Sequence, residues 1–164
     1  MDAELLERLY REHSQAAILY CTALSGDEEL AQDLTADAFV KAYLTLPENV
    51  PSFRYWLLRV CRNLWIDHLR KHRREVRNLP VERLATGVTP ESRLLRNERS
   101  RCLWNAIASL PPPDRELVTL HYFSGVPLEE AAGLLGISYS AARQRMVRLR
   151  RTLRQRMEEQ GYDF

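Results

Sequence analysis

Apolar residues recur at steps of three and four along most of this 164-residue chain, and this spacing is the period of a helix rather than of a strand. No alternation of apolar and polar residues continues for long, and only 6 glycines are present. We therefore predict an all-α fold. The first helical run, which Ser25-Gly26 ends, contains Leu5, Leu9, His13, Ala16, Ala17 and Tyr20.

Helix-capping and helix-breaking residues divide the chain into two small domains. Asp27 and Ser52 are positioned to cap a second and a third helix, and these would pack on the first to form a three-helix domain. The helical spacing then lapses around Pro80 and Gly87, which indicates a linker. We predict a first helical domain over residues 1–76, a linker over 77–90 and a second helical domain over 91–164.

The second domain is predicted to contain a helix-turn-helix. A helix that starts at Thr89-Pro90-Glu91 would stop at three consecutive prolines, after which Asp114 is expected to cap the next helix. Pro127 then opens a short helix, Gly136 turns the chain tightly before a buried Ile137, and Ser138 caps a long final helix. Two helices joined by a short turn that contains glycine are typical of the helix-turn-helix.

Charge is distributed unevenly, although the formal net charge is only +2. Residues 1–48 contain ten acids and three bases, residues 54–77 contain eight bases and two acids, and residues 143–156 contain seven arginines and no acid. Basic blocks on folded helices favour a polyanionic partner, most often a nucleic acid. The acidic block indicates a separate surface for another partner.

The final helix has an inner apolar stripe and an outer polar face. The inner stripe comprises Ala142, Met146, Leu149 and Leu153, and the outer face comprises Ser140, Arg143, Gln144, Val147, Arg148 and Arg151. Arginine can bind guanine and glutamine can bind adenine in the major groove, so we predict base contacts from Arg143, Gln144 and Arg148. The remaining arginines, Arg145, Arg150, Arg151 and Arg154, are expected to meet phosphates or solvent. The alternative is a solvated arginine face on a terminal helix.

The third helix mixes aromatic and basic residues: Phe53, Arg54, Tyr55, Trp56, Arg59, Arg62, Asn63 and Trp65. Aromatic rings stack on unpaired bases and basic side chains follow the backbone, which favours single-stranded or melting DNA over intact duplex. Trp56 and Trp65 are equally compatible with a place in the core. His68 and His72 have the spacing of metal ligands, but no acid or cysteine ligand lies near them in the sequence, and a basic helix surface is the preferred interpretation.

The sequence lacks the patterns that indicate an enzyme. No nucleophile–base set, glycine-rich phosphate loop or metal cluster is visible, so we expect no catalytic activity, no cofactor and no metal. Cys21, Cys61 and Cys102 are widely spaced and are expected to be small core residues in a reducing cytoplasm. The acidic N-terminus and the short apolar runs predict neither a signal peptide nor membrane contact.

Taken together, these segments resemble the extracytoplasmic-function (ECF) group of RNA polymerase sigma factors. Residues 33–43, DLTADAFVKAY, resemble region 2.2 of that family, with alanine where a glutamine is usual at position 36. Residues 52–70, SFRYWLLRVCRNLWIDHLR, resemble regions 2.3 and 2.4. Residues 110–115 and 125–150 resemble region 4, with Ser140-Ala141-Ala142 in place of the usual G-T-V.

The resemblance implies a partner for each surface. Core RNA polymerase would be bound through its β′ clamp helices and β flap, with Asp33, Asp37, Phe39 and Lys41 at the interface. The promoter −10 element would be bound by Phe53, Trp56, Arg59, Asn63 and Arg70, and the −35 element by His121, Ser140, Arg143, Gln144, Val147 and Arg148. An anti-sigma factor is a further expected partner.

Two other classes of function fit parts of the pattern. A free-standing helix-turn-helix regulator would have an N-terminal domain that dimerises or senses a signal, but it has no need of both residues 33–43 and residues 52–70. An enzyme that acts on nucleic acid would need an assembled catalytic site. Nanomolar binding to duplex DNA without polymerase would favour the regulator, and hydrolysis by purified protein would favour the enzyme.

Overall fold

The computed structural model of the chain describes residues 1–72 and 97–163, and within these ranges it contains seven α-helices and no strand. The predicted all-helical fold is confirmed. The predicted linker and the helix start at Thr89-Pro90-Glu91 lie outside the described residues. In chain order the helices are α1 (Ala3–Ser25), α2 (Glu28–Thr45), α3 (Phe53–Lys71), α4 (Glu98–Ala108), α5 (Pro112–Tyr122), α6 (Leu128–Leu135) and α7 (Tyr139–Glu159).

Three polar residues begin helices as predicted. The side chains of Asp27, Ser52 and Ser138 each accept a hydrogen bond from a backbone N–H in the first turn of α2, α3 and α7. Gly26 and Gly136 follow α1 and α6 with φ of 70° and 68°, values that glycine adopts without steric strain. The local sequence therefore sets where these helices start and stop.

The expected cap at Asp114 is wrong. Pro111 precedes α5, Pro112 is its first residue, and no side-chain hydrogen bond caps the helix. Proline suits this position because it lacks the N–H that would have no helical partner there. Asp114 instead lies in the first turn, where its carboxylate is 3.7 Å from the guanidinium of Arg148 on α7.

The first three helices form one bundle. Cys21 and Cys61 are buried in it as expected, whereas Cys102, on α4, is half-buried. On α3, Val60 and Leu64 are only half-buried. The buried residues that join α1, α2 and α3 include Ala17, Tyr20, Cys21, Leu34, Ala38, Ala42, Leu57, Leu58 and Cys61.

Helices α4 to α7 form the second bundle, and α6 and α7 meet at the turn of Gly136. The inner stripe of α7 is confirmed: Ala142, Met146, Leu149 and Leu153 are all at most 3% exposed. Ile137, predicted to be buried in the turn, is half-buried. No helix in the described ranges is long and apolar enough to cross a membrane.

The two bundles pack against each other along α1 and α5. Trp104 on α4 is 1% exposed and lies against Leu19 and Ala23 of α1, with Phe123 edge-on at 5.1 Å between ring centroids. The Ser124 hydroxyl donates to the backbone carbonyl of Ala16. One continuous apolar core therefore includes residues of both bundles.

Candidate nucleic-acid interface

The predicted outer face of α7 is exposed. It comprises Ser140, Arg143, Gln144, Val147, Arg148 and Arg151, and it lies opposite the buried stripe that holds α7 on the bundle. Val147 is 54% exposed, which is high for an aliphatic side chain in a folded helix. A helix of this kind with a polar, basic outer face and a firmly packed inner face has the geometry for insertion into a major groove.

Two arginines of this outer face have side-chain partners that were not predicted. The Arg143 guanidinium lies over the ring of Tyr139, 5.7 Å from its centroid. Arg148 is paired with Asp114 of α5, whose side chain is only 17% exposed. Such contacts restrict the rotamers of long side chains, so less conformational entropy is lost when they bind a base or phosphate.

His121, aligned with a DNA-contacting position in the resemblance, lies in the last turn of α5 and is half-buried. Its Nδ1 is 3.3 Å from the carbonyl oxygen of Val126, and its ring contacts that of Tyr122. The Tyr122 hydroxyl in turn accepts a hydrogen bond from Nε of Arg150. Arg150 is therefore partly engaged within the protein, although the sequence predicted only phosphate or solvent contacts for it.

Arg145 is placed differently from the expectation. It is half-buried and lines a cavity of about 430 Å³, together with Trp65 and Leu69 of α3. Arg145 therefore points towards the first bundle rather than into open solvent. Helical position explains this difference, because residue 145 precedes the buried Met146 and lies at the edge of the inner stripe.

The aromatic residues of α3 are partly in the core and partly accessible. Phe53 and Trp56 are half-buried and stack on each other, with ring centroids 6.0 Å apart and planes at 27°. Both are partly buried against the apolar core, so Trp56 is neither fully in the core nor fully exposed. The polar members of the predicted site, Arg59, Asn63 and Arg70, are exposed.

A largely apolar cavity of about 450 Å³ lies at the start of α3. Its size is in the range of pockets that hold small molecules or single bases. Trp56 and Arg59 form part of its wall, so the cavity offers an aromatic surface and a cation beside a space for an unstacked base. The rest of the lining comes from the loop before α3, from Tyr55 of α3 and from Glu130 of α6; the loop residues are Pro47, Asn49, Val50, Pro51 and Ser52.

His68 and His72 lie one turn apart on α3, with their rings in contact. Their ring centroids are 4.5 Å apart, and Trp65 stacks on His68 at 5.7 Å. In the ranges that the structure describes, no group of three or more His, Cys, Asp or Glu side chains has a metal-binding arrangement.

Helix α2 presents a mixed acidic and apolar surface. We define the α2 surface as its exposed residues Asp33, Asp37, Val40, Lys41, Tyr43 and Leu44. Val40 and Leu44 are 56% and 69% exposed, and neither was predicted as a binding residue. Their spacing from Asp33 and Asp37 places them on the same helical face and was available in the sequence.

Phe39 does not belong to this surface, which corrects its predicted role at the polymerase interface. It is 5% exposed, and its ring packs edge-on against Tyr10 and beside Phe53. Phe39 follows the buried Ala38 on the inner side of α2, so its side chain fills the core between helices. Its contribution to the α2 surface is to pack in the core and hold α2 in position.

Two family models match separate parts of the chain. The family model "Sigma-70 region 2" matches residues 9–75, and "Sigma-70, region 4" matches residues 100–153. The chain is 32% identical over 140 residues to a probable RNA polymerase sigma factor, RfaY, of Xanthomonas campestris, covering 80% of this chain and 35% of that protein. It is 28% identical over 158 residues to the ECF sigma factor BldN of Streptomyces coelicolor, covering 93% of this chain and 60% of that protein.

The fold is also that of a solved sigma factor. RpoE of Bartonella quintana, in a co-crystal structure with the anti-sigma factor NepR, superposes with a TM-score of 0.70 and 24% identity, covering 93% of this chain and 96% of that one. The chain spans about a third of the length of RfaY and 60% of the length of BldN. Since region 2 and region 4 are both matched in the expected order, the chain belongs to the sigma-70 family of RNA polymerase sigma factors, in its ECF group.

Proposed function

We propose that this protein is an alternative sigma factor, which binds core RNA polymerase and directs promoter recognition, promoter melting and the start of transcription. One observation carries the proposal: the chain combines three surfaces of different chemistry. These are the basic outer face of α7, the aromatic and basic start of α3 beside its cavity, and the acidic and apolar α2 surface. A free-standing regulator needs only the first of them.

The outer face of α7 is proposed to read the −35 element. Arg143, Gln144 and Arg148 are exposed on one face and carry the side chains that bind guanine and adenine edges in the major groove. Ser140, Val147 and His121 would flank them. The salt-dependent part of the affinity would come from other exposed arginines of α7, Arg151 and Arg154.

The start of α3 is proposed to hold the melted −10 element. Trp56 and Arg59 line a cavity large enough for one unstacked base, while Asn63 and Arg70 are exposed further along the helix. Extrusion of a base from the duplex costs stacking energy, so a protein that stabilises the extruded base favours melting at weakly paired steps. Phe53 would contribute by packing behind Trp56.

The α2 surface is proposed to bind core polymerase through the β′ clamp helices, with a second contact between region 4 and the β flap. Exposed valine and leucine side chains beside two carboxylates suit a partner that is apolar at the centre and basic at the rim. An anti-sigma factor, the partner of the solved Bartonella relative, is proposed to compete for the same surfaces. These partners imply that the protein acts in the cytoplasm.

Transcription from purified components tests the proposal. Core polymerase is mixed with a pooled library of bacterial promoters, with and without this protein, and new transcript starts are sequenced. Discrete starts that require the protein would establish the function and reveal both promoter elements. If no starts are found and a pull-down detects no binding to core polymerase, the sigma proposal fails and the free-standing regulator takes its place.

Charge reversal at Asp37 is expected to weaken binding to core polymerase. Asp37 is exposed in the middle of the α2 surface, so Asp37→Lys should raise the Kd for core polymerase by about tenfold or more through repulsion at a basic rim. Fluorescence anisotropy of labelled protein against core polymerase measures the change. Glu158→Lys, which makes the same charge change at an exposed position on α7, is the matched control. If both variants bind core polymerase with equal affinity, Asp37 does not lie at the interface.

A further inference from the structure

The cavity beside Arg145 has no role in the proposed contacts with the promoter or the polymerase. Its volume is about 430 Å³, and its walls come from the end of α1, the second half of α3, the start of α5, the turn between α6 and α7, and α7 itself. None of the residues assigned to the −10 element, the −35 element or core polymerase lines it. We call it the Trp65 cavity, after the aromatic residue in its wall.

Most of the wall of the Trp65 cavity is apolar. Helix α3 contributes Trp65, Ile66 and Leu69, and the turn between α6 and α7 contributes Leu135 and Ile137; all five are half-buried. Pockets of this size with apolar walls and a few polar groups are typical of small-molecule sites. An indole ring among aliphatic side chains favours a ligand with an aromatic or other apolar body, because binding removes that surface from water.

Three guanidinium groups interrupt this apolar wall: Arg62 of α3, Arg115 of α5 and Arg145 of α7. Among the lining residues, all of them within the described ranges, Glu116 has the one carboxylate. Three positive charges and one negative charge give a net charge of +2. Apolar walls of low dielectric strengthen the field of such charges and attract ions of the opposite sign. The charge of the wall therefore indicates an anionic ligand.

The carboxylate of Glu116 is engaged within the protein. It accepts hydrogen bonds from the Tyr20 hydroxyl of α1 and from Nε of Arg62, the latter at 2.8 Å. Burial and the Glu116 carboxylate raise the pKa of Tyr20 well above its usual value, so Tyr20 adds no charge of its own. Since Glu116 is paired with Arg62 in this way, the cavity keeps a positive net charge.

Arg115 is a positive charge held in a fixed place. The residue is 6% exposed, and its Nη1 donates a hydrogen bond to the backbone carbonyl of Ala108 at 3.3 Å. Burial lowers the pKa of Arg115 and Glu116 opposes this effect, but arginine keeps its charge at neutral pH. A guanidinium that is already positioned loses little entropy when it binds a carboxylate or phosphate, whose oxygens match its planar fork.

We propose that the Trp65 cavity binds a small organic anion with an aromatic body, whose acidic group meets Arg115 and Arg145 while its ring lies against the apolar wall. The apolar and the cationic parts of the wall define this class of ligand together, because inorganic anions lack the apolar body and neutral aromatic compounds lack the charge. The site goes beyond the proposed sigma function and does not rest on it, since binding is a property of the free chain.

Fluorescence titration of the full-length protein with two matched probes tests the proposal. Anilinonaphthalene sulfonate (ANS) is a small aromatic anion, and phenylnaphthylamine has the same rings without the sulfonate. Both probes become brighter in apolar surroundings. We expect ANS to saturate a single site and to bind about tenfold or more tightly than the neutral probe, because charge-assisted contacts add to the same apolar burial. Equal affinities would overturn the proposal, and so would displacement of ANS by inorganic phosphate at the same concentration.

Substitution of Arg145 tests the place of the site. Arg145→Met keeps a long apolar side chain and removes the charge, so the Kd for ANS should rise by about tenfold. Arg151→Met makes the same change at an exposed position of α7 outside the cavity, and its Kd should equal that of the wild type. Equal Kd values for the two variants would contradict binding in the Trp65 cavity.

A larger side chain in the wall is an independent test. Leu69→Trp reduces the volume of the cavity without changing its charge, so ANS should bind about tenfold more weakly or not at all. Leu44→Trp, at an exposed position of α2, is the matched control and should bind ANS as the wild type does. Circular dichroism melts identify the variants that are folded. A folded Leu69→Trp variant with the wild-type Kd would overturn the proposal.

Discussion

Replacing Arg148 with alanine is expected to weaken binding of the polymerase complex to a promoter with an intact −35 element by about 1–3 kcal/mol, or about fivefold to 150-fold. Arg148 is exposed on the outer face of α7, and arginine binds guanine through two hydrogen bonds that no other base offers in the same geometry. Competition gel shifts with the holoenzyme, at one fixed salt concentration, measure the change.

Three controls separate base recognition from simpler effects. On a scrambled −35 sequence the loss should nearly vanish, whereas an equal loss would make Arg148 a phosphate contact. Arg151→Ala, at another exposed arginine of α7, should weaken both promoters alike and reduce the salt dependence. Asp114→Asn removes the charge that pairs with Arg148 at 3.7 Å, so it should change affinity less than Arg148→Ala does. A larger loss for Asp114→Asn would mean that Asp114 has its own structural role.

Local signals in the sequence were sufficient for most of the helices and for the outer face of α7. Gly136 and Ser138 end one helix and begin the next through interactions within a few residues, and the buried stripe of α7 follows directly from its periodicity. Asp114 failed as a cap because an equally local rule, the preference of proline for the first helical turn, applied three residues earlier than expected. The sequence alone does not show which of the two signals, the capping aspartate or the proline, sets the first residue of the helix.

The helix to which a residue belongs could be predicted more easily than whether its side chain is buried or exposed. Phe39 is buried while Val40 beside it is exposed, and both are apolar residues within the same motif. A resemblance transfers the motif as a whole, but only packing determines which of its side chains reach the surface. Arg145 is a similar case, since its environment depends on α3 of the other bundle.

Contacts between the bundles had no sequence signal. Glu116 is 96 residues from Tyr20 and 54 residues from Arg62. No local sequence pattern marks any of the three as a partner of the others. Their pairing depends on the angle at which α5 crosses α1 and α3, which follows from the packing of whole helices. Long-range polar contacts of this type are therefore the part of the molecule that required the structure.

Truncation of Trp104 is expected to have the largest effect on stability. Trp104 is 1% exposed and packs on Leu19, Ala23 and Phe123, so Trp104→Ala should lower the free energy of unfolding by about 3–5 kcal/mol. A domain has only about 5–15 kcal/mol in total, so a large part of the stability would be lost. Urea titration followed by circular dichroism measures it. Tyr43→Ala, at an aromatic residue that is 50% exposed, should change stability by no more than about 0.5 kcal/mol.

The same substitution also reports on the contact between the bundles. Leu19 and Ala23 belong to α1, whereas Trp104 belongs to α4, so part of the cost of Trp104→Ala arises across the interface. If the two side chains stabilise each other across the interface, Leu19→Ala combined with Trp104→Ala should cost less than the sum of the two single losses, because a contact that is already lost cannot be lost again. Additive losses would mean that Trp104 stabilises only its own bundle.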